Sequence, residues 1–247
     1  MWIPFQKQER GLYSEKRFIF YTGANRTGKS DFICAYISLW LLGRHPAIKT
    51  PKNGVAWLSV TDFSKIEQVL LPKFIRMLPI GSFTYNAQKA LLEMKNGCKL
   101  FFKSEQSGPL SYEGSDVDLL ALDEEHLRNT FNAAVIRTTG RRAKILIAAT
   151  LVGGITWMYD DFILPTQKGE RKDVELIVCS QFDNPMLDKK EVQAEFDRMS
   201  KSDPIKARIC ILGEFLDMSG ESVFPSELMY NLRLKLPVPV RGELIGA

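Results

Sequence analysis

The chain has 247 residues, 45% hydrophobic and 25% charged, with 33 Lys and Arg against 29 Asp and Glu for a formal charge of +4. These are ordinary globular values, so extended disorder is excluded, and the length suffices for one large α/β domain or two small ones with a buried core. The basic excess is too small to argue for a nucleic-acid partner by itself, although it permits a local basic track.

Only two histidines are present, His45 and His126, which excludes a His-rich metal site. Cys34, Cys98, Cys179 and Cys210 form no CxxC pair and read as buried thiols of a reducing compartment. The N-terminal MWIPFQKQER lacks the apolar centre of a signal peptide. No run approaches the ~18 apolar residues of a membrane span, so a cytoplasmic protein is expected.

In chain order, RFIFY (17–21) predicts a short strand entering a glycine turn, and KSDFICAYISLWLL (29–42) a helix. GVAWLSV (54–60) predicts a buried strand, and Thr61 and Asp62 offer an N-cap to the helix after it. Asn96-Gly97 between two apolar runs predicts a hairpin. Further strands are expected at 118–122, 143–150 and 175–180, with a helix at 189–199. Apolar strands alternating with helices predict an α/β fold whose mostly parallel sheet is covered by helices on both faces. In such sheets ligands bind beyond the carboxyl ends of the strands.

Gly23, Ala24, Asn25, Arg26, Thr27, Gly28, Lys29 and Ser30 match G-x-x-x-x-G-K-[ST] without a mismatch, between a strand and a helix. Glycines let the loop curl its N–H groups toward phosphate oxygens, and the helix N-terminus adds partial positive charge. Lys29 is expected to neutralise the outer phosphates of ATP, and the Ser30 hydroxyl to ligate Mg²⁺. Ala24, Asn25 and Thr27 contribute loop backbone, and Arg26 either touches phosphate or faces solvent. The bland alternative, a chance glycine turn, lacks a reason for the strand–helix context.

VDLLALDEE (117–125) reads as an apolar strand delivering acids to the sheet edge. Asp123 is the expected Mg²⁺ residue, acting through water, because this small hard cation keeps several waters. Glu124 is expected to polarise the attacking water, which separates ASCE-type hydrolases from kinase-like P-loop proteins. Glu125 is either a supporting acid or a helix cap, and His126 reads as a packed or exposed helix residue. A third segment, ILIAATLVGGITWMYDDF (145–162), ends a core strand at Thr150, whose hydroxyl is placed to sense the γ-phosphate.

GANRTGKS, LLALDEEH, ATLVGGITWMYDDF and Gly213-Glu214-Phe215 ahead of Val223-Phe224-Pro225 resemble, in order and spacing, segments of the ATPase domain of tailed-bacteriophage large terminase subunits. The resemblance covers essentially the whole chain and implies a RecA-like P-loop motor that drives double-stranded DNA into a procapsid. It implies a homo-oligomeric ring on the portal protein, a small terminase subunit as partner, and action in the host bacterial cytoplasm. Thr150 matches the coupling hydroxyl, although Leu151 stands where proline is common. The adenine-reading glutamine falls on Gln6 or Gln8, with Gln6 preferred. Glu113-Gly114 replaces the usual Arg-Gly, so Arg137, Arg141 and Arg142 become the candidates for an arginine acting across subunits. Residues 1–240 are expected to form the ATPase, with 206–240 lid-like, and 241–247 to begin a nuclease domain that is cut short or supplied by another chain. The rival readings are a helicase-like translocase, which would need a second RecA-like domain, and a non-hydrolysing assembly module.

Overall fold

The structure, a computed structural model, describes residues 2–151 and 156–216. The VFP segment at 223–225, the Gly153-Gly154 turn and the expected nuclease start at 241–247 lie outside these residues.

A single eight-stranded sheet organises the molecule. Its strands are β1 (Phe18–Gly23), β2 (Val55–Val60), β3 (Phe83–Asn86), β4 (Leu91–Met94), β5 (Lys99–Ser104), β6 (Leu119–Asp123), β7 (Lys144–Ala149) and β8 (Val174–Cys179). They lie in the order β3-β4-β5-β2-β6-β7-β1-β8. From β5 to β8 every pairing is parallel, and only the β3-β4-β5 edge is antiparallel. The mostly parallel sheet expected from the apolar runs is therefore present, with Asn96-Gly97 turning β4 into β5.

Both faces are buried, because side chains alternate along each strand. Ile19 and Tyr21 of β1 join Leu58, Ala121 and Leu146 under α2 (Lys29–Leu41), while Phe18 and Phe20 join Trp57, Leu120 and Ile147 on the other face. The second face is closed by α4 (Arg128–Ile136), which presents Phe131, and by Phe162, whose ring meets Phe18, Phe20 and Phe131 edge-on. Such edge contacts add about 0.5–1.5 kcal/mol each beyond area burial.

The further α-helices of the described residues are α1 (Gln6–Tyr13), α3 (Leu71–Met77), α5 (Leu164–Gln167), α6 (Lys189–Ser202) and the short α7 (Pro204–Ala207), with π-helical turns at Tyr159–Ile163 and Arg208–Leu212. The helix expected after Thr61-Asp62 opens instead as a π-helical turn, Ile66–Leu70, before α3. Pro72 accounts for the change: it has no N–H for the usual i−4 bond, and its ring clashes with the preceding turn. Asp62 does cap locally, accepting from the Ser64 amide at 2.8 Å. All four cysteines are buried and free, as their apolar surroundings suggest. No helix among the described residues is long and apolar enough to cross a membrane.

Candidate nucleotide site

Parallel register brings the chemistry-bearing residues to one edge. Thr22 of β1 pairs with Ala149 of β7, Ala148 with Asp123 of β6, and Asp123 with Val60 of β2. The carboxyl end of β1 therefore releases Gly23–Ser30 beside the tips of β6 and β7. One strand, β7, stands between the loop strand and the acidic strand, and its tip carries Thr150.

The loop is anchored from behind. The Ala24 amide donates to the Cys179 carbonyl and the Asn25 amide to the Cys210 carbonyl, both at 2.8 Å. Those two amides hold the loop on its scaffold, while the amides of the first turn of α2 have no intrahelical acceptor, an arrangement suited to an anion. Gly23 has φ +116°, and a Cβ there would sit 2.1 Å from the Cys179 carbonyl oxygen. Only glycine fits.

Gly213 closes the same contact from the C-terminal side. Its φ is +74°, and a Cβ would lie 2.5 Å from the Cys179 carbonyl oxygen and 2.8 Å from the Ala24 amide nitrogen. Gly213→Ala is expected to destabilise the domain by about 2–3 kcal/mol through overpacking and left-handed strain. Thermal unfolding should show the midpoint falling by roughly 5–10 °C. An unchanged midpoint would mean this packing is dispensable.

Lys29 is buried, and its ammonium donates to the Ala24 carbonyl at 2.6 Å. Burial lowers its pKa, while the charges of Glu124 and Asp123 work to keep it protonated. Ser30 Oγ donates to Asp123 Oδ1 at 3.0 Å. Asp123 is 3% exposed, and burial together with the neighbouring Glu124 pushes its pKa up to about 6, against the Ser30 hydrogen bond. A buried carboxyl beside a hydroxyl, both oxygen donors, fits a hard divalent cation that keeps water and phosphate as its other ligands. Among the described residues no group of three or more His, Cys, Asp or Glu side chains is placed to hold a metal unaided.

Glu124 has φ +77°, a left-handed backbone that costs a non-glycine residue about 1–3 kcal/mol. Its amide donates to the Ala148 carbonyl at 2.7 Å. Its carboxylate accepts from the Thr150 amide at 3.4 Å and lies 3.9 Å from Lys65 Nζ. The sequence points to the Thr150 hydroxyl; the contact formed here is its backbone N–H. Lys65 escapes a sequence reading, because nothing in the spacing of a residue ahead of a π-helical turn marks it as facing the acidic tip. Glu125 is half-buried, and burial raises its pKa.

Of the two glutamines, Gln8 touches the loop, donating through Nε2 to the Gly28 carbonyl at 3.3 Å and accepting from the Phe5 amide through Oε1. Gln6 is partly buried two residues earlier. Arg26 is exposed, its carbonyl accepting from Asn184 Nδ2 at 2.7 Å. Arg137, Arg141 and Arg142 precede β7, at the amino edge of the sheet. Arg141 pairs there with Asp118 at 2.8 Å, and Arg142 lines a cavity of about 370 Å³ with Glu15, Arg17, Thr139 and Lys144. That edge is a full strand length from this chain's own loop.

The phosphate loop, the acidic strand one position removed from it, and the polar tip of the strand between them define a P-loop ATPase fold of the ASCE, RecA-like kind. The chain belongs to the family described as terminase large subunit, T4likevirus-type, N-terminal, whose model matches residues 20–229. Among solved structures it is similar to the large terminase ATPase domain of Thermus phage P74-26, with TM-score 0.70 and 16% identity over 87% of this chain and 95% of that one. It is similar to the large terminase of a thermophilic bacteriophage in complex with ADP, with TM-score 0.67 and 19% identity over 85% and 53%. The bacteriophage HK97 large terminase gives TM-score 0.68 and 13% identity over 86% and 50%. The chain thus spans about half the length of the two last proteins. No curated protein sequence matches it.

Proposed function

We propose that this chain is the ATP-hydrolysing motor part of a viral genome-packaging terminase, coupling hydrolysis to translocation of double-stranded DNA into a procapsid. The observation that carries the reading is the convergence of Lys29, Ser30, Asp123, Glu124 and the Thr150 amide at one sheet edge. ATP binds there, in keeping with the thermophilic-bacteriophage terminase, which is known in complex with ADP and with ATP-γ-S. The amides opening α2 and the Lys29 ammonium grip the phosphates. Ser30 and Asp123 hold Mg²⁺, which when bound neutralises charge on the outer phosphates. Glu124 orients the attacking water and accepts its proton. Adenine recognition is assigned to Gln6, with Gln8, whose amide already meets the loop at the Gly28 carbonyl, as the alternative.

Release of the γ-phosphate is felt at the carboxylate held by Thr150 and passes to 208–215. That segment touches the loop through the Cys210 carbonyl, and Phe215 packs on Tyr159 at 5.7 Å between ring centres. Arg208 and Glu214 pin its ends together as an ion pair. DNA is gripped through phosphates, since a packaging motor must move any sequence, and binding should weaken steeply with salt. Lys168 and Lys172 are exposed and available for this. Arg171 is not, because its guanidinium lies over Phe18 and Phe162 and pairs with Asp173.

The motor works as a ring on the portal protein, with a small terminase subunit, in the host bacterial cytoplasm. Arg137, Arg141 and Arg142 cannot serve their own chain's site from the amino edge of the sheet, so any catalytic role they have is across a subunit boundary. An arginine supplied that way is worth about 10³–10⁵ in related phosphoryl transfer. Turnover per chain is therefore expected to rise with protein concentration and with DNA. A rate per chain that is high and flat across concentrations would contradict the ring-dependent mechanism.

A further inference from the structure

The residue after Glu125 is a histidine that the hydrolytic mechanism does not use, yet it is 1% exposed and fully engaged. His126 Nδ1 lies 3.0 Å from the Glu124 carbonyl oxygen, and its Nε2 lies 2.7 Å from Ser59 Oγ on β2. Ser59 Oγ is hydrogen-bonded in turn to the hydroxyl of Tyr112, itself wholly buried in the β5–β6 connection. The His126 carbonyl accepts from Trp157 Nε1 at 3.0 Å.

One atom sets the direction of this chain of bonds. A carbonyl oxygen only accepts, so Nδ1 carries the proton. Burial lowers the pKa of the ring and keeps it neutral, so Nε2 accepts from the Ser59 hydroxyl, and Ser59 accepts from Tyr112. Every polar atom in the relay has its partner, which is the condition under which a buried network rigidifies what it holds. What it holds is the peptide of Glu124, the residue whose φ of +77° must be enforced by its surroundings. Its amide is fixed by Ala148 and its carbonyl by His126, so the strained residue is clamped on both sides.

We propose that His126 is a positioning residue for hydrolysis: its Nδ1–H locks the Glu124 carbonyl and thereby aims the carboxylate. The same residue ties that peptide to Trp157, in the segment following Thr150. A shift of the coupling segment and a shift of the carboxylate's backbone are then one event. The inference rests on the reading of Glu124 as the hydrolytic acid.

Two isosteric variants separate the ring's two nitrogens. His126→Asn places an amide N–H near Nδ1 and keeps the donor to Glu124; His126→Gln places its polar atoms near Nε2 and loses that donor. The intact chain is assayed for kcat, KM for ATP, ATP-γ-S affinity and thermal midpoint. The Asn variant should retain kcat within about 3-fold. The Gln variant should lose about 10–100-fold in kcat, with KM and ATP-γ-S affinity within about 2-fold of the parent. Ser59→Ala, which disturbs the relay but leaves Nδ1 on Glu124, should resemble the Asn variant. In a Glu124→Gln background, His126→Gln should cause no further loss.

Equal kcat in the Asn and Gln variants, or losses that follow the thermal midpoint, would overturn the role of His126. If Glu124→Gln itself retained full turnover, the assignment of Glu124 would fall, and the positioning role with it. If Glu124→Gln were inactive and His126→Gln fully active, only the role of His126 would fall.

Discussion

Replacing Glu124 by Gln is expected to lower kcat for ATP by about 10²–10⁴-fold while leaving ATP-γ-S affinity within about 3-fold. The side chain keeps its length, and its remaining carbonyl oxygen can still accept from the Thr150 amide. What disappears is the anion that takes the proton from water. The contact with Lys65 at 3.9 Å weakens as well, but both groups are about one-third exposed and solvent screens the pair, so binding should barely change. A non-hydrolysing assembly module would have no turnover to lose, so the same substitution separates the motor reading from the scaffold reading. Single-turnover hydrolysis with excess protein is the appropriate assay, because it isolates the chemical step from product release.

Lys29→Ala is expected to weaken Mg²⁺–ATP-γ-S binding by roughly 10²-fold, as loss of a charge-assisted hydrogen bond worth up to about 3 kcal/mol implies. The ammonium is buried, has its desolvation offset by Glu124 and Asp123, and reaches the loop carbonyl of Ala24. Removing it leaves Mg²⁺ and the more distant Lys65 as the positive charges facing two acids and an anionic ligand. Isothermal titration against the parent chain measures the effect. Retention of parental affinity would place the triphosphate elsewhere.

Much of this architecture is written in local patterns. The apolar runs at β1, β2, β6, β7 and β8 mark a doubly covered parallel sheet, because strands buried on both faces need no polar alternation. The loop Gly23–Ser30 and the acidic tip Asp123–Glu124 are legible because their chemistry demands fixed residue types at fixed spacing. Other features are not. The helix α1 is short and polar on one side, and its tie to the loop through Gln8 is a contact across 20 residues that no periodicity encodes. The π-helical turn before α3 depends on how Pro72 meets a preceding turn. The role of the Thr150 amide follows from the parallel register of β6 and β7, which places its N–H beside Glu124. His126 reads in sequence as an ordinary helix residue; its partner Ser59 lies 67 residues away and meets it, with Tyr112, only through the sheet order.

Lys29 and the Asp123–Glu124 tip must grip one metal-bound triphosphate for this mechanism to hold. Pulsed electron paramagnetic resonance with Mn²⁺ in place of Mg²⁺ and ATP-γ-S as ligand tests this directly, by reading the coupling of protein-bound metal to phosphorus. The prediction is strong phosphorus coupling in the parent chain, reduced in Asp123→Asn and, at ligand concentrations that saturate only the parent, diminished in Lys29→Ala in step with its weaker nucleotide binding. Protein-bound Mn²⁺ without phosphorus coupling, or coupling indifferent to Asp123, would contradict it.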